Sequence, residues 1–176
     1  MIGGQRKGGG EPRSTRVAAL TPPCFGVKSQ SMSEERGSEW VETDFRVRYA
    51  ETDQMGIAYH SNYLIWFEVA RVEFFRRFGF TYNRLEKETG TFLPVVEVHC
   101  RYLLPLRYDD EFTVKTRLEE FGRRLLGFSY ELVDKDGDSV YARAHTKHIA
   151  TDKSGRPKTL PKEFLNFLCQ EDPSLV

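Results

Sequence analysis

The feature that most constrains the fold is the stretch 63–78, whose first half carries apolar residues around much of the circumference of a helix. The stretch is long enough for about four turns, and Gly79 follows at a place where a helix can end. Ser61 or Asn62 supplies the N-cap. A helix that is apolar on so many sides must be covered, so the rest of the chain has to enclose it.

The chain on both sides of this helix shows the alternation of apolar and polar residues that is typical of strands. Phe45, Val47 and Tyr49 alternate ahead of it. Asp136-Gly137 predicts a tight hairpin, and the short connections predict antiparallel neighbours. Four further runs alternate for much of their length: 92–103, 111–120, 125–134 and 139–151. The pattern predicts an α+β domain, with a curved antiparallel five-stranded sheet wrapped around one long central helix.

The composition of residues 1–38 differs from that of the rest, because Gly, Ser, Pro and Arg dominate and apolar periodicity is absent. We therefore predict a disordered leader at 1–38, one folded domain at 39–170 and a C-terminal tail at 171–176. The leader is basic, as transit peptides for organelle import are, but it has many glycines and little amphipathic pattern. A translation start at Met32 is the alternative.

The bulk composition narrows the classes of function. The formal net charge is zero, which argues against a nucleic-acid binder because phosphate contacts need clustered Lys and Arg. No apolar run reaches the roughly 18 residues of a membrane span. Cys24, Cys100 and Cys169 are widely spaced and form no Cys-x-x-Cys motif, so we expect a cytoplasmic protein without a metal or other cofactor. A small-molecule substrate is the natural partner.

Two polar residues close to the start of the helix are candidate site residues. Asp53 lies in the loop 51–56, where the positively polarised N-terminus of the helix would stabilise a carboxylate. On the pattern alone, an Asp that accepts backbone hydrogen bonds in a turn fits better. For His60, at the helix entrance, an active-site role and a surface position fit equally well.

Glu68 lies inside the apolar helix, two turns from its start, and a buried carboxylate needs a partner. Arg71 is three residues further along, which places both side chains on one face. We therefore predict an ion pair between Glu68 and Arg71. A catalytic base on the helix is the less favoured interpretation.

Several groups of residues together resemble the 4-hydroxybenzoyl-CoA thioesterase family, and within it the bacterial acyl-CoA thioesterases associated with the Tol-Pal system. The likeness spans 43–165 and includes 98–110 and the closing groups Gly155-Arg156-Pro157 and Leu160-Pro161, whereas 1–38 have no counterpart. Its most specific groups are Tyr49-x-Glu51-Thr52-Asp53-Gln54-Met55-Gly56, His60-Ser61-Asn62-Tyr63 and Phe67-Glu68-x-Ala70-Arg71.

The resemblance implies a hot-dog fold, a homodimer or homotetramer with active sites between subunits, and hydrolysis of an acyl-CoA. It implies that Asp53 is the catalytic carboxylate and that His60 belongs to the active site through its backbone N–H. The same motif places six residues at the substrate: Tyr49, Gly56, Tyr59, Ser61, Asn62 and Tyr63.

The chemistry fits these residues. Asp53 can attack the thioester carbonyl or act as general base on water. Backbone N–H groups at the helix start can stabilise the oxyanion, and one such donor contributes about 3–4 kcal/mol. The leaving thiol has a pKa of about 8.5, by analogy with cysteine, so it departs without a dedicated acid. CoA enters as part of the substrate.

Two other functions occur on such a fold. A hydroxyacyl dehydratase uses a His in a Gly- and Pro-rich loop, and His60 lies beside Ser61-Asn62 without that loop. A non-catalytic acyl-CoA-binding module usually carries a DNA-binding appendage, and residues 1–38 show no helix-turn-helix pattern. Hydrolysis is therefore favoured, with the acyl group and the choice between CoA and acyl-carrier protein left open.

Overall fold

The apolar stretch forms a helix, α1, from Asn62 to Arg77 in the computed structural model, which describes residues 40–171. Ser61 occupies the N-cap position, but its side chain makes no capping hydrogen bond. Gly79 follows the helix with a φ of 77°, a conformation that glycine adopts at little cost. The predicted central helix is confirmed to within one residue at each end.

Five strands form one antiparallel sheet, in the order β1-β3-β4-β5-β2. The strands β1 and β2 are therefore the edges of the sheet, and their hydrogen-bonding groups on one side have no partner strand among residues 40–171. The bounds are Val41–Arg46 (β1), Val95–Tyr102 (β2), Glu111–Phe121 (β3), Leu125–Val133 (β4) and Val140–Ile149 (β5). The predicted α+β class and the antiparallel pairing are confirmed.

Aromatic residues of α1 pack against the inner face of the sheet. The rings of Phe67 and Tyr130 lie 4.7 Å apart and those of Phe74 and Phe128 lie 5.7 Å apart. All four residues are at least 95% buried. The burial of such large apolar side chains is the main stabilising contribution to this layer, at about 1.5–3 kcal/mol for each. The sheet covers one side of α1, whereas Leu64, Ile65 and Val69 on its other side stay exposed.

The prediction for the first strand was wrong at its end. Strand β1 stops at Arg46, and residues 49–51 form a turn of 3-10 helix. The carboxylate of Glu51 accepts hydrogen bonds from the backbone and the side chain of Arg48, and these bonds hold the chain in a turn. Tyr49 therefore lies outside the sheet, although it continues the alternation of Phe45 and Val47.

A second helix, α2, runs from Tyr82 to Thr89 and was missed by the prediction. Its end signals are present in the sequence, because the side chain of Thr81 caps Arg84 N–H and Gly90 ends the helix with a φ of 61°. A third helix, α3, runs from Lys162 to Glu171. Within 40–171, no helix is both long and apolar enough to cross a membrane. The predicted leader lies outside the described residues.

The hairpin predicted at Asp136-Gly137 joins β4 to β5. Gly137 has a φ of 80°, and its N–H donates to the carbonyl of Asp134. A residue with a side chain would be strained in this conformation. The predicted hairpin is therefore confirmed, but its connection is wider than a tight two-residue turn, because residues 134–139 separate the two strands.

Candidate active site

Asp53 lies in a tight turn between the 3-10 turn and the start of α1. Its N–H donates to the carbonyl of Ile57 at 2.9 Å, and its Oδ1 accepts from Met55 N–H at 2.8 Å. Gly56 closes the turn with a φ of 70° and donates to the carbonyl of Asp53. The other carboxylate oxygen, Oδ2, has no hydrogen bond to the described residues, so it is available to a substrate or a water molecule.

Glu51, two residues earlier, is 96% buried and joins this turn to the helix. Its carboxylate accepts from the indole N–H of Trp66 at 3.1 Å and from Arg48. Its carbonyl accepts from the side-chain amide of Asn62 at 2.7 Å. Burial raises the pKa of the Glu51 carboxyl, but the hydrogen bonds from Arg48 and Trp66 outweigh burial and lower the pKa below its usual value.

The sequence-based prediction gave Glu51 no separate role, because its partner Trp66 is fifteen residues away and no local pattern links the two residues.

The segment that enters α1 presents backbone donors. The N–H groups of His60 and Ser61 have no acceptor among residues 40–171, as is usual for the first turn of a helix. The hydroxyl of Tyr102, at the end of β2, donates to the carbonyl of His60 at 3.1 Å. This bond orients the peptide groups around residue 60. The imidazole of His60 is exposed and packs on the ring of Tyr59, with ring centroids 4.3 Å apart.

Asp53 and His60 line one cavity of about 240 Å³. Tyr63 and Tyr102 form part of its wall, and their rings are in edge contact at 4.9 Å. The remaining wall is apolar and comprises Met55, Ile57, Ala58, Leu103, Leu104 and Pro105. A carboxylate, a helix start and an apolar wall therefore meet in one place, as a site for an acyl ester requires.

The structure separates the other predicted substrate residues from this cavity. Tyr49 is 79% exposed and its ring packs edge-on against Tyr108. The side-chain amide of Asn62 donates to the carbonyl of Glu51 and is therefore not directed at the cavity. Of the six, only Tyr63 lines the cavity, whereas Gly56, Tyr59 and Ser61 flank it in the chain. Across the described part of the chain, no three His, Cys, Asp or Glu side chains are grouped to hold a metal ion.

The ion pair predicted between Glu68 and Arg71 is absent. Glu68 is exposed, whereas the guanidinium of Arg71 is buried and its Nη1 donates to the hydroxyl of Tyr82 at 2.8 Å. The same atom lies 3.3 Å from Nδ1 of His148. The prediction was wrong because it did not include α2, the helix that brings Tyr82 to Arg71.

A five-stranded antiparallel sheet packed on one long helix defines the hot-dog class. Residues 47–168 match the model of the Thioesterase-like superfamily, and the chain belongs to this family. The predicted fold and family are thus confirmed. The association with the Tol-Pal system stays a prediction.

Several relatives resemble the chain over most of their length. A putative esterase of Aquifex aeolicus is 43% identical over 70% of this chain and 93% of that protein. The putative acyl-CoA thioesterase YneP of Bacillus subtilis is 38% identical over 69% of this chain and 87% of that protein. The crystal structure of a DHNA-CoA thioesterase from Staphylococcus aureus is similar with a TM-score of 0.69 and 29% identity, covering 78% of this chain and 97% of that one.

Proposed function

We propose that the protein hydrolyses acyl-CoA thioesters and that Asp53 is the catalytic carboxylate. The observation that supports this most directly is the shared cavity, which brings Asp53 together with His60 at the start of α1. The likeness to a putative acyl-CoA thioesterase supports a CoA ester as the substrate. The free Oδ2 of Asp53 is the atom that would reach the reacting carbon.

Two routes use this carboxylate. In the first, Oδ2 attacks the thioester carbon, the C–S bond breaks, CoA leaves as a thiolate, and water then hydrolyses the mixed anhydride. In the second, Asp53 removes a proton from a water molecule while the oxygen of that water attacks the same carbon, after which the C–S bond breaks and CoA leaves as a thiolate. Both routes form an oxyanion, and the N–H groups of His60 and Ser61 are the donors for it. His60 donates to the oxyanion through its backbone N–H, so the imidazole of His60 is not required for the chemistry.

We propose further that the working unit is a homodimer joined through β2. This edge strand exposes Val95, Val96 and Val98, which are 42–53% accessible. The exposed side of α1, with Leu64 and Ile65, adds to the same apolar surface. Apolar surface of this kind on an edge strand favours pairing with a second copy, which would extend the sheet and cover α1. A tetramer built from two such dimers is the alternative.

Asp53→Asn tests the catalytic assignment because it keeps the size of the side chain and removes its charge. We expect kcat to fall by at least about 100-fold, with little change in the melting temperature. Release of CoA thiol from a panel of acyl-CoAs measures the loss. Asp136→Asn, the same change in the exposed β4–β5 hairpin, is the control and should keep full activity.

Glu68→Gln tests the competing carboxylate on α1. We expect its kcat to stay within about tenfold of that of the unmodified protein, because the start of the helix is two turns away. Near-normal turnover by Asp53→Asn together with an inactive, folded Glu68→Gln protein would move the catalytic base onto the helix and contradict the proposal.

A further inference from the structure

Arg71 is a buried cation without an anionic partner. Its side chain lies in the core between α1 and α2, and the residue is 92% buried. Its neighbours are the hydroxyl and the ring of Tyr82 and the imidazole of His148. Burial and the nearby guanidinium lower the pKa of His148 to about 4, so this neighbour is neutral at pH 7. In the described part of the chain, no carboxylate pairs with Arg71, although a buried charge ordinarily requires such a partner.

The guanidinium of Arg71 has more N–H donors than acceptors around it in the described residues. Arg71 donates through Nη1 to Tyr82, and the same atom lies near Nδ1 of His148. Its guanidinium also interacts with the hydroxyl of Tyr130. A guanidinium carries five N–H groups, so donors remain for a ligand. The neighbouring polar groups are already satisfied by one another. Nε2 of His148 lies 3.0 Å from the hydroxyl of Thr146, and that hydroxyl lies 3.0 Å from the hydroxyl of Tyr130. The unused hydrogen-bonding capacity in this cluster therefore belongs to Arg71.

Arg71 lies where two cavities meet. One cavity, of about 300 Å³, lies between α1 and β2, and we call it the α1–β2 groove. Apolar side chains line one part of it, including Leu64 and Val98, and Arg71 and His148 line the other part.

The second cavity, of about 550 Å³, continues from Arg71 past Tyr82. Glu68 and Glu86 also line the second cavity, and both are exposed. The buried charge where the two cavities meet is the guanidinium of Arg71, which suits a long apolar ligand with an anionic end.

The groove begins next to the candidate active site. Tyr63 and Tyr102 line the site cavity, whereas the groove is lined by Leu64, which follows Tyr63 on α1, and by Val98, which lies four residues before Tyr102 on β2. The same two elements, α1 and β2, thus border both spaces in turn. Arg71 lies eight residues after Tyr63, which is about 12 Å along the helix axis. An acyl group whose carbonyl lies beside Asp53 has the groove as its continuation.

We propose that Arg71 binds a carboxylate at the far end of the acyl group, so that the preferred substrates are CoA monothioesters of dicarboxylic acids. The inference rests on the proposed thioesterase function and names its substrate class. A planar guanidinium suits a carboxylate because it offers two parallel N–H donors, which makes the pair stronger than a neutral hydrogen bond. Arg71 is here a specificity-determining residue, and the chemistry stays with Asp53.

The test uses matched pairs of acyl-CoAs with the same number of carbons, one ending in a methyl group and one in a carboxylate, over a series of chain lengths. For at least one length, we expect kcat/KM of the unmodified protein to be about tenfold or more higher for the carboxylate member. Arg71→Gln should remove this preference by lowering kcat/KM for the carboxylate member, mainly through KM. Arg76→Gln, the same change at an exposed position of α1, is the control.

The outcomes separate this inference from the proposed function. Absence of thiol release from every member of the series would refute the thioesterase itself. Thiol release with equal or better use of the methyl members, or a preference that persists in Arg71→Gln, would refute the role of Arg71 alone. If Arg71→Gln does not fold, the exposed Glu68 on the wall of the groove provides a second variant. Glu68→Gln should raise kcat/KM for the carboxylate member only, and an unchanged ratio would contradict the inference.

Discussion

Two carboxylates close together in the chain, Glu51 and Asp53, differ in the hydrogen bonds that they accept. Glu51 is buried and accepts from Arg48 and from the indole of Trp66. Asp53 is partly exposed and accepts through Oδ1 alone among the described residues. A carboxylate whose lone pairs are occupied cannot easily attack or take a proton, so this difference supports the proposal that Asp53, and not Glu51, is the reactive acid. Glu51 is then the structural acid of the same motif.

Glu51→Gln should lower stability, because the amide cannot accept all the donors that surround the carboxylate. We expect a loss of about 1–3 kcal/mol in the free energy of unfolding, the cost of leaving buried donors unsatisfied. Urea denaturation followed by tryptophan fluorescence measures it. Glu88→Gln removes only an exposed ion pair with Arg84 and should cost a few tenths of a kcal/mol. Equal stability of the two variants would show that Glu51 does not hold the turn.

The sequence alone predicted the residues of the motif, but not the residues whose roles depend on contacts between distant parts of the chain. Asp53 and His60 were found because their spacing matches a known family, and they do lie in one cavity. The role of Glu51 and the environment of Arg71 depend on Trp66, Tyr82 and His148, which lie eleven to seventy-seven residues away from their partners in the chain. Contacts over such separations leave no periodic signal in one sequence.

At the level of elements, alternation predicted β3, β4 and β5 well because one face of each strand is buried and the other is more accessible. It failed for β1, since the chain turns at Glu51 before the alternation ends. It also missed α2, which has one buried residue, Leu85, in eight. A short helix with so small an apolar face gives a weak periodic signal, and its capping residues Thr81 and Gly90 are its better markers.

The contact between α1 and β5 through Arg71 and His148 makes stability depend on pH. The pKa of His148 falls to about 4 in the folded state, because the imidazole is buried and lies beside the guanidinium. The unfolded chain therefore binds this proton at a higher pH, near its ordinary value of about 6.5. The contribution of neutral His148 to the free energy of unfolding is complete above pH 6.5 and is lost as the pH falls toward 4. At pH 5 the loss is about 2 kcal/mol.

His148→Gln should remove this dependence, since the amide does not titrate. Between pH 7.5 and pH 5, the free energy of unfolding should fall less in the variant than in the unmodified protein. The two decreases should differ by about 2 kcal/mol. Urea denaturation at both pH values measures the difference. His145→Gln, at a half-buried position of the same strand, should keep the original pH dependence. Parallel pH profiles for His148→Gln and the unmodified protein would rule out His148 as the titrating group.

On the scale of the whole molecule, the unexpected observation is how much of α1 residues 40–171 leave uncovered. The sequence predicted a helix apolar on most sides and enclosed by the sheet, but the sheet reaches only one side of it. The exposed residues Leu64 and Ile65 continue directly into the exposed valines of β2. A second copy placed against β2 would account for the apolar pattern that the single chain does not bury.

Val96→Lys is the variant that tests this arrangement. Val96 is 53% exposed on the edge strand, so a lysine there costs little in the single chain, but it would place a charge within the proposed interface. We expect the unmodified protein to be at least a dimer at micromolar concentration and Val96→Lys to be a monomer with an unchanged circular dichroism spectrum. If the sites lie between subunits, thiol release should fall with the loss of the dimer.

Sedimentation velocity at several concentrations measures the assembly state of both proteins. Thr159→Lys adds the same charge in an exposed loop outside β2 and should leave the dimer intact. An unmodified protein that sediments as a monomer at micromolar concentration would contradict the dimer. A Val96→Lys protein that stays dimeric would show that the copies meet on another surface, because a lysine buried against an apolar strand without a partner is too costly to retain.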